Sequence, residues 1–319
     1  MKKTAIVIVS CMIILSMLPL GTQAAQLIPG GQLIGLELKD QSVTVAAFDE
    51  KESAAKAAGM LPGDRITHID SRPIGCTEDV HKALTCSNGS VQIRFLRDGK
   101  EKTLQVHPTI TSRGPQLGVY LRQGITGVGT VTYYDPQTHT FGALGHSVND
   151  PSGKCMEFTT GNAYEAGILR IKKGQRGDPG QLVGCMENGT VGSISKNTPQ
   201  GVFGNTVSLP QIQVMETASA DQVRTGPAVI RSTVNTAVAQ EYSVKILKIY
   251  PASRSGGRNM LIKVTDQRLL DTTGGIIQGM SGSPIIQDGK LVGAVTHVLV
   301  NDPTTGYGIF IENMLDAAA

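Results

Sequence analysis

The 319-residue sequence predicts a mainly β protein: a closed or double β-barrel of about 200 residues preceded by a small α+β module. Three observations lead there. Glycine is abundant at 38 residues, tryptophan is absent, and β-branched residues recur in short runs, which favours many short strands over a helical bundle. From Thr109 onward, such runs alternate with Gly, Asn and Asp-Pro turns, and closing the sheet they form removes its exposed edges. Hydrophobic residues make up 40% and charged residues 17%, the balance of a packed core rather than a disordered chain.

The chain starts MKKTAIVIVSCMIILSMLPLGTQAA. Two lysines, an apolar run from Ala5 to Leu20, and small residues at Thr22 and Ala24 give residues 1–24 the pattern of a secretory signal peptide, or of an N-terminal membrane anchor. Either reading exports the remainder. Without Lys2 and Lys3, 27 basic residues face 26 acidic ones, and no basic cluster is interleaved with aromatics, so nucleic acid is not an expected partner. Cys76, Cys86, Cys155 and Cys185 could pair in an oxidising compartment or stay free. Their spacing favours no metal site, and no cofactor is expected.

Residues 28–108 form the α+β module. QLIGLELKDQSVTVAAFDE offers two strands with a polar turn at Lys39 to Ser42. ESAAKAAGM is a short helix that Gly59 ends, and LPGDRITHIDSRPI feeds a strand with Ile66 and Ile69 inward. TEDVHKALTCSNG is a second helix, capped by Thr77, with Glu78 and Asp79 at its positive end and Gly89 beyond it. SVQIRFLRDGKEKTLQVHP closes the module as a hairpin at Asp98-Gly99, with Val91, Ile93 and Phe95 on one face. The segment ESAAKAAGMLPGDRITHIDSRPI resembles bacterial PDZ domains. That resemblance implies a sheet edge that takes up an extended peptide, a C-terminus or an internal segment, and Ile34, Gly35 and Leu36 are the candidate edge.

Residues 109–319 carry the barrel. GVGTVTYYDPQTHTFGALGHSV reads as a hairpin turned at Asp135-Pro136. LVGCMENGTVGSISKN and EYSVKILKIYPASRSGGRNMLIKVTD read as further hairpins, and IENMLDAAA as a terminal helix.

Acyl transfer by serine needs a nucleophile on a rigid turn, a base, a group that orients the base, and donors for the oxyanion. GMSGSP supplies the turn: small residues flank Ser281, and Gly279 can take the positive φ that aims the Gly279 and Ser281 N–H groups into one concavity. PIIQDGKLVGAV follows as a hairpin at Asp288-Gly289. His146, at a strand tip in FGALGHSVND, is the candidate base, and His297 the second choice. Asp266, fifteen residues before Ser281, and Asp271 both stand as orienting acids on spacing alone, with Asp150, Asp178 and Asp221 as further alternatives.

Together, ALGHSV, KVTDQRLLDTTGGIIQGMSGSPI, LIPGGQLIG and the module before them resemble the SpoIVB peptidase family, sporulation serine peptidases with a trypsin-like arrangement. The resemblance implies a trypsin-like double β-barrel, with Ser281 as nucleophile, His146 as base and Asp266 as orienter. Ser283 then reads as structural. Gly275, six before the nucleophile where trypsin is acidic, argues against a demand for Lys or Arg before the cut bond. The resemblance further implies a location in the forespore intermembrane space and cleavage of a membrane-bound regulatory protein that activates a late mother-cell sigma factor. Self-cleavage, with self-association, and docking of substrate on the PDZ module are implied with it. An envelope quality-control protease of the HtrA type and a non-catalytic peptide-binding adaptor are the competing readings; HtrA proteins place their PDZ modules after the protease.

Overall fold

The computed structural model describes residues 24–319 except 51, 88, 151–152, 235–237 and 255; the expected signal or anchor segment at 1–24 lies outside the described residues but for Ala24. Its frame is two rings of six antiparallel strands. In the first, Leu33–Lys39 pairs with Ile125–Asp135, followed around the ring by Thr140–Ala143, Gly201–Thr206, Gln181–Thr198 and Thr160–Lys172, which returns to Leu33–Lys39. In the second, Gly226–Ser232 is followed by Gln240–Ile249, Met260–Val264, Asp302–Phe310, Lys290–Leu299 and Pro284–Gln287, which closes on Gly226–Ser232. The expected double barrel is present. Closing each sheet on itself pairs the backbone groups that its edge strands would otherwise expose.

Each ring holds its own apolar filling. Ile34, Leu38, Val131, Phe141 and Ala163 are fully buried in the first, and Ile230, Ile246, Ile262, Ile285 and Val295 in the second. Each such aliphatic side chain contributes about 1.5–3 kcal/mol on leaving water. The terminal helix Ile311–Ala318 packs Ile311 and Met314 between the barrels, against Leu27, Phe203 and Leu291.

The α+β module is inserted into the first barrel rather than placed before it. Its sheet runs Val119–Arg122, Val43–Phe48, Arg65–Ile69, Val91–Arg97, Lys100–Val106, with helices Ala54–Ala57 and Thr77–Thr85 and a core of Val43, Ile66, Ile69, Val80, Leu84, Ile93 and Phe95. The two strands of QLIGLELKDQSVTVAAFDE therefore belong to different sheets. Leu33–Lys39 is a barrel strand, and the module's first strand begins at Val43. Conversely, Val119–Arg122 lies beyond the expected boundary at 108 yet completes the module's sheet. The connections leave from Leu38 and return at Ile125, which are paired neighbours.

Two local readings change. Residues Gln181–Thr198 form one 18-residue strand, not a hairpin. Gly189 and Gly192 are not turn residues there: a Cβ on Gly192 would run into the Asn205 backbone carbonyl, and Gly189 lies under the Glu165 side chain. They are places of close approach in a sheet. The helix at Thr77 is capped from within, by the Asp79 carboxylate accepting from the N–H groups of Gly75 and Cys76 at 3.0 and 3.1 Å. All four cysteines among the described residues are free thiols.

Candidate active site

The turn at Ser281 is shaped by glycine and pinned to the opposite barrel. Gly279 and Gly282 have φ of 100° and 97°, and a Cβ on Gly282 would lie 2.0 Å from the Thr130 carbonyl. Thr130 donates its N–H to the Ser281 carbonyl (2.9 Å) and its hydroxyl to the Gly279 carbonyl (2.8 Å). Thr132 donates its hydroxyl to the Gly282 carbonyl at 2.8 Å. With its carbonyls held from one side, the turn leaves the N–H groups of Gly279 and Ser281 without an acceptor among the described residues, the arrangement an oxyanion hole requires. Ser283 is fully buried in the turn's return, donating its N–H to Met280 and accepting from Val295. The Ser281 hydroxyl donates to the Thr296 carbonyl at 2.8 Å.

Ser281 lines a cleft of about 420 Å³ together with His146 and His297. Strand Thr140–Ala143 ends just before two successive left-handed residues, Leu144 and Gly145 (φ 68° and 70°), and this reversal carries His146 back to the cleft. The His146 Nδ1 donates to the Ser147 carbonyl at 2.8 Å. A carbonyl only accepts, so this contact fixes the proton on Nδ1 and leaves Nε2 as the basic nitrogen. Burial lowers the His146 pKa, partly offset by the Ser147 hydrogen bond. The His297 ring lies 5.4 Å from that of His146, centroid to centroid, with its buried Nδ1 unpartnered among the described residues. Desolvation, then the charges of His146 and Arg258, bring His297 down to about 4.

Asp266 is not brought to this cleft, a correction to the expected triad. It caps helix Gln267–Thr273, accepting from the Arg268 N–H and guanidinium and from the Ser243 N–H. The Arg268 contacts hold its carboxyl at about 2. Asp271 sits within that helix, bonded by Gln267. Asp150 lines a separate cavity between barrel and module, Asp178 pairs with Lys172, and Asp221 accepts from Ser219. No carboxylate is among the described residues lining the cleft.

Sequence reasoning missed the polar group that fixes the His146 loop. Asn197 accepts from the Val148 N–H (2.9 Å) and donates to the carbonyls of Val148 and Met156 (2.8 and 2.9 Å). Nothing in its spacing signalled this, because it lies on a different strand. Gly275 has no room for a side chain: a Cβ there would stand 2.1 Å from the Pro303 carbonyl. The cleft walls are apolar instead, formed by Leu36, Leu38, Ile125, Val128 and Leu144.

Ile34, Gly35 and Leu36 do not form a peptide-binding edge. Their strand is paired on both sides, Gly35 with Val128 and Tyr164, and Ile34 is fully buried. The module's sheet has two open edges among the described residues, Lys100–Val106 and Val119–Arg122, and the latter pairs only with Val43–Phe48 and lies beside a helix. Between it and helix Thr77–Thr85 runs a groove of about 440 Å³ lined by Val80, His81, Leu84, Leu117, Val119 and Leu121.

A family model described as SpoIVB peptidase S55 matches residues 114–315, and one for a PDZ domain matches residues 31–107. A putative zinc metalloprotease of Rhizobium meliloti (strain 1021) is 36% identical over 87 residues, 27% of this chain and 23% of that protein. The mitochondrial serine protease HTRA2 of Drosophila willistoni is 36% identical over 63 residues, 20% of this chain and 14% of that protein. The matched stretches thus span less than a quarter of either curated relative. Among solved structures, the active form of the Rv3671c protease from M. tuberculosis aligns at a TM-score of 0.36 and 16% identity, covering 74% of this chain and 81% of that one. The HtrA-type protease AlgW with a decapeptide aligns at a TM-score of 0.36 and 11% identity, covering 62% and 53%.

Proposed function

The chain belongs to the SpoIVB peptidase S55 family, and on that premise we propose that it is a serine endopeptidase with Ser281 as nucleophile and His146 as general base. One observation carries the assignment: a serine on a pinned turn, two N–H groups beside it and a histidine Nε2, all without a partner among the described residues, share one cleft. The Ser281 hydroxyl turns from Thr296 towards Nε2 and gives up its proton as Oγ attacks the substrate carbonyl. The oxyanion forms against the Gly279 and Ser281 N–H groups. His146 passes the proton to the leaving amine, which departs as the acyl-enzyme forms. It then deprotonates the water that releases the acid and restores Ser281. The Ser147 carbonyl keeps His146 in the required tautomer throughout. The apolar cleft walls suit an aliphatic side chain beside the cut bond.

A serine-reactive fluorophosphonate tests this. The unmodified protein is expected to label and Ser281→Ala to stay blank, with His146→Ala slowing peptide cleavage at least about a thousandfold. Equal labelling of wild type and Ser281→Ala would sink the nucleophile assignment.

The finer reading rests on the family. The protein is exported to the forespore intermembrane space, associates with and cuts copies of itself, and cleaves a membrane-bound regulatory protein to activate a late mother-cell sigma factor. The groove between Val119–Arg122 and Thr77–Thr85 takes an extended segment of a partner as an added strand. In a spore-forming host carrying Ser281→Ala, the regulatory protein is expected to stay uncut and the late mother-cell programme silent. Normal sporulation in that host would count against this role.

A further inference from the structure

The connection between strands Gln240–Ile249 and Met260–Val264 of the second barrel is unusual in charge and position. From Tyr242 to Thr265 the chain carries Lys245, Lys248, Arg254, Arg258 and Lys263, and no Asp or Glu. The Arg254 guanidinium lies 3.9 Å from the centre of the Tyr250 ring and 5.9 Å from that of Tyr307, and the Arg258 guanidinium lies 5.5 Å from Tyr307. Neither arginine forms an ion pair among the described residues. Two cations thus lie over aromatic faces, and no side-chain hydrogen bond from either guanidinium is seen among the described residues.

The loop is rigid. Asn259, fully buried, donates its amide to the carbonyls of Pro251, Ala252 and Arg254, and its own carbonyl accepts from the Tyr250 N–H at 2.7 Å. It also rests on both catalytic-site segments. The Thr296 hydroxyl donates to the Gly257 carbonyl at 2.6 Å, and a Cβ on Gly257 would lie 2.9 Å from the Gly145 carbonyl. Thr296 precedes His297 and Gly145 precedes His146, so the loop at Gly257, next to Arg258, abuts both segments that carry the cleft histidines. The electrostatic influence of Arg258 on His297 agrees with that placement.

We propose that Arg254 and Arg258 form a specificity subsite that receives an Asp or Glu side chain of the substrate polypeptide near the cut bond. The inference rests on the serine-peptidase reading of Ser281 and says what that site selects. A guanidinium and a carboxylate meet through paired hydrogen bonds, and an Arg already held on a ring loses little freedom in making them. No Lys or Arg is among the described residues lining the cleft, so the counter-charge for an acidic side chain comes from this neighbouring loop.

The experiment uses the full chain and a peptide library prepared from a cell lysate, with cut sites read by mass spectrometry. Asp and Glu are expected to be enriched about tenfold at one fixed position from the cut bond, which corresponds to ~1.4 kcal/mol. The enrichment should disappear in Arg254→Gln/Arg258→Gln, survive in part in Arg254→Lys/Arg258→Lys, and weaken in 0.5 M salt (about 4 Å of screening length). Enrichment is a ratio taken within each protein, so a general loss of activity cancels. Arg258→Gln alone, at an exposed position, keeps the test open if the double variant does not fold. Wild-type cutting without acidic preference, or the same preference in the Gln variants, overturns the subsite alone. A wild type that neither cuts any peptide nor labels with fluorophosphonate overturns the peptidase reading beneath it.

Discussion

His146 is set in the tautomer of a general base by the carbonyl of its own neighbour, Ser147, rather than by a carboxylate. That has a consequence for pH. Burial lowers the His146 pKa below its ordinary 6.5, and His297 falls to about 4, so both rings are neutral at pH 7. Only the neutral imidazole can take the Ser281 proton. Peptidase activity is therefore expected to be full at neutral pH and to fall on acidification with a midpoint below 6.5; kcat/KM against pH measures it, and a midpoint at 7 or above would contradict it. Stability follows the same sign. Between the folded and unfolded pKa values the unfolded chain binds more protons, so the contribution of these rings is intact above 6.5 and is lost as pH falls towards 4. At this scale Ser281 and His146 were legible because their small neighbours are part of the chemistry. Asp266 was not. Fifteen residues of spacing fit an orienting acid and a helix cap equally, and Arg268, two residues on, decides for the cap.

The elements around the site work as pairs across the two barrels. The turn at 279–283 belongs to the second barrel, yet its carbonyls are held by Thr130 and Thr132 of strand Ile125–Asp135 in the first. Thr132 is fully buried, so Thr132→Val would leave the Gly282 carbonyl without its donor. A loss of about 1–3 kcal/mol in denaturant unfolding is expected, with slower peptide cleavage as the Ser281 turn loosens. Gly282→Ala is expected to be worse, combining a φ of 97° with a contact of 2.0 Å to backbone, and to lose both stability and activity. A Gly282→Ala protein with unchanged unfolding midpoint and activity would show that the turn is not rigid. The hairpin at Asp288-Gly289 and the one at Asp98-Gly99 were readable because their residues take the positive φ such turns need. The 18-residue strand was not readable, since Gly189 and Gly192 answer to neighbours distant in sequence.

At the scale of the whole molecule, the sequence reveals a module and a barrel but not that one interrupts the other. Pattern shows where a strand lies and not which sheet it joins, and Leu33–Lys39 is as apolar as a module strand would be. The insertion decides how the two parts can be separated. A deletion of residues 30–108 removes the strand that lies between Ile125–Asp135 and Thr160–Lys172, leaving two buried edges unpaired, and is expected to yield no folded protein. Replacing residues 41–123 by a short glycine-containing turn instead joins Leu38 to its own partner Ile125 and makes the two strands a simple hairpin. That shortened chain is expected to fold, to label with fluorophosphonate at Ser281, and to lose retention on partner peptides, because the Val119–Arg122 groove goes with the module. Far-UV circular dichroism, labelling and peptide retention read the three outcomes. If the 30–108 deletion folds and labels while the 41–123 replacement does not, the barrel does not need Leu33–Lys39. If the shortened chain still retains peptide, the groove is not where partners dock. If it folds but no longer labels, the module is holding the cleft through the strands it interrupts, since Leu38 and Ile125 are cleft walls as well as its points of attachment.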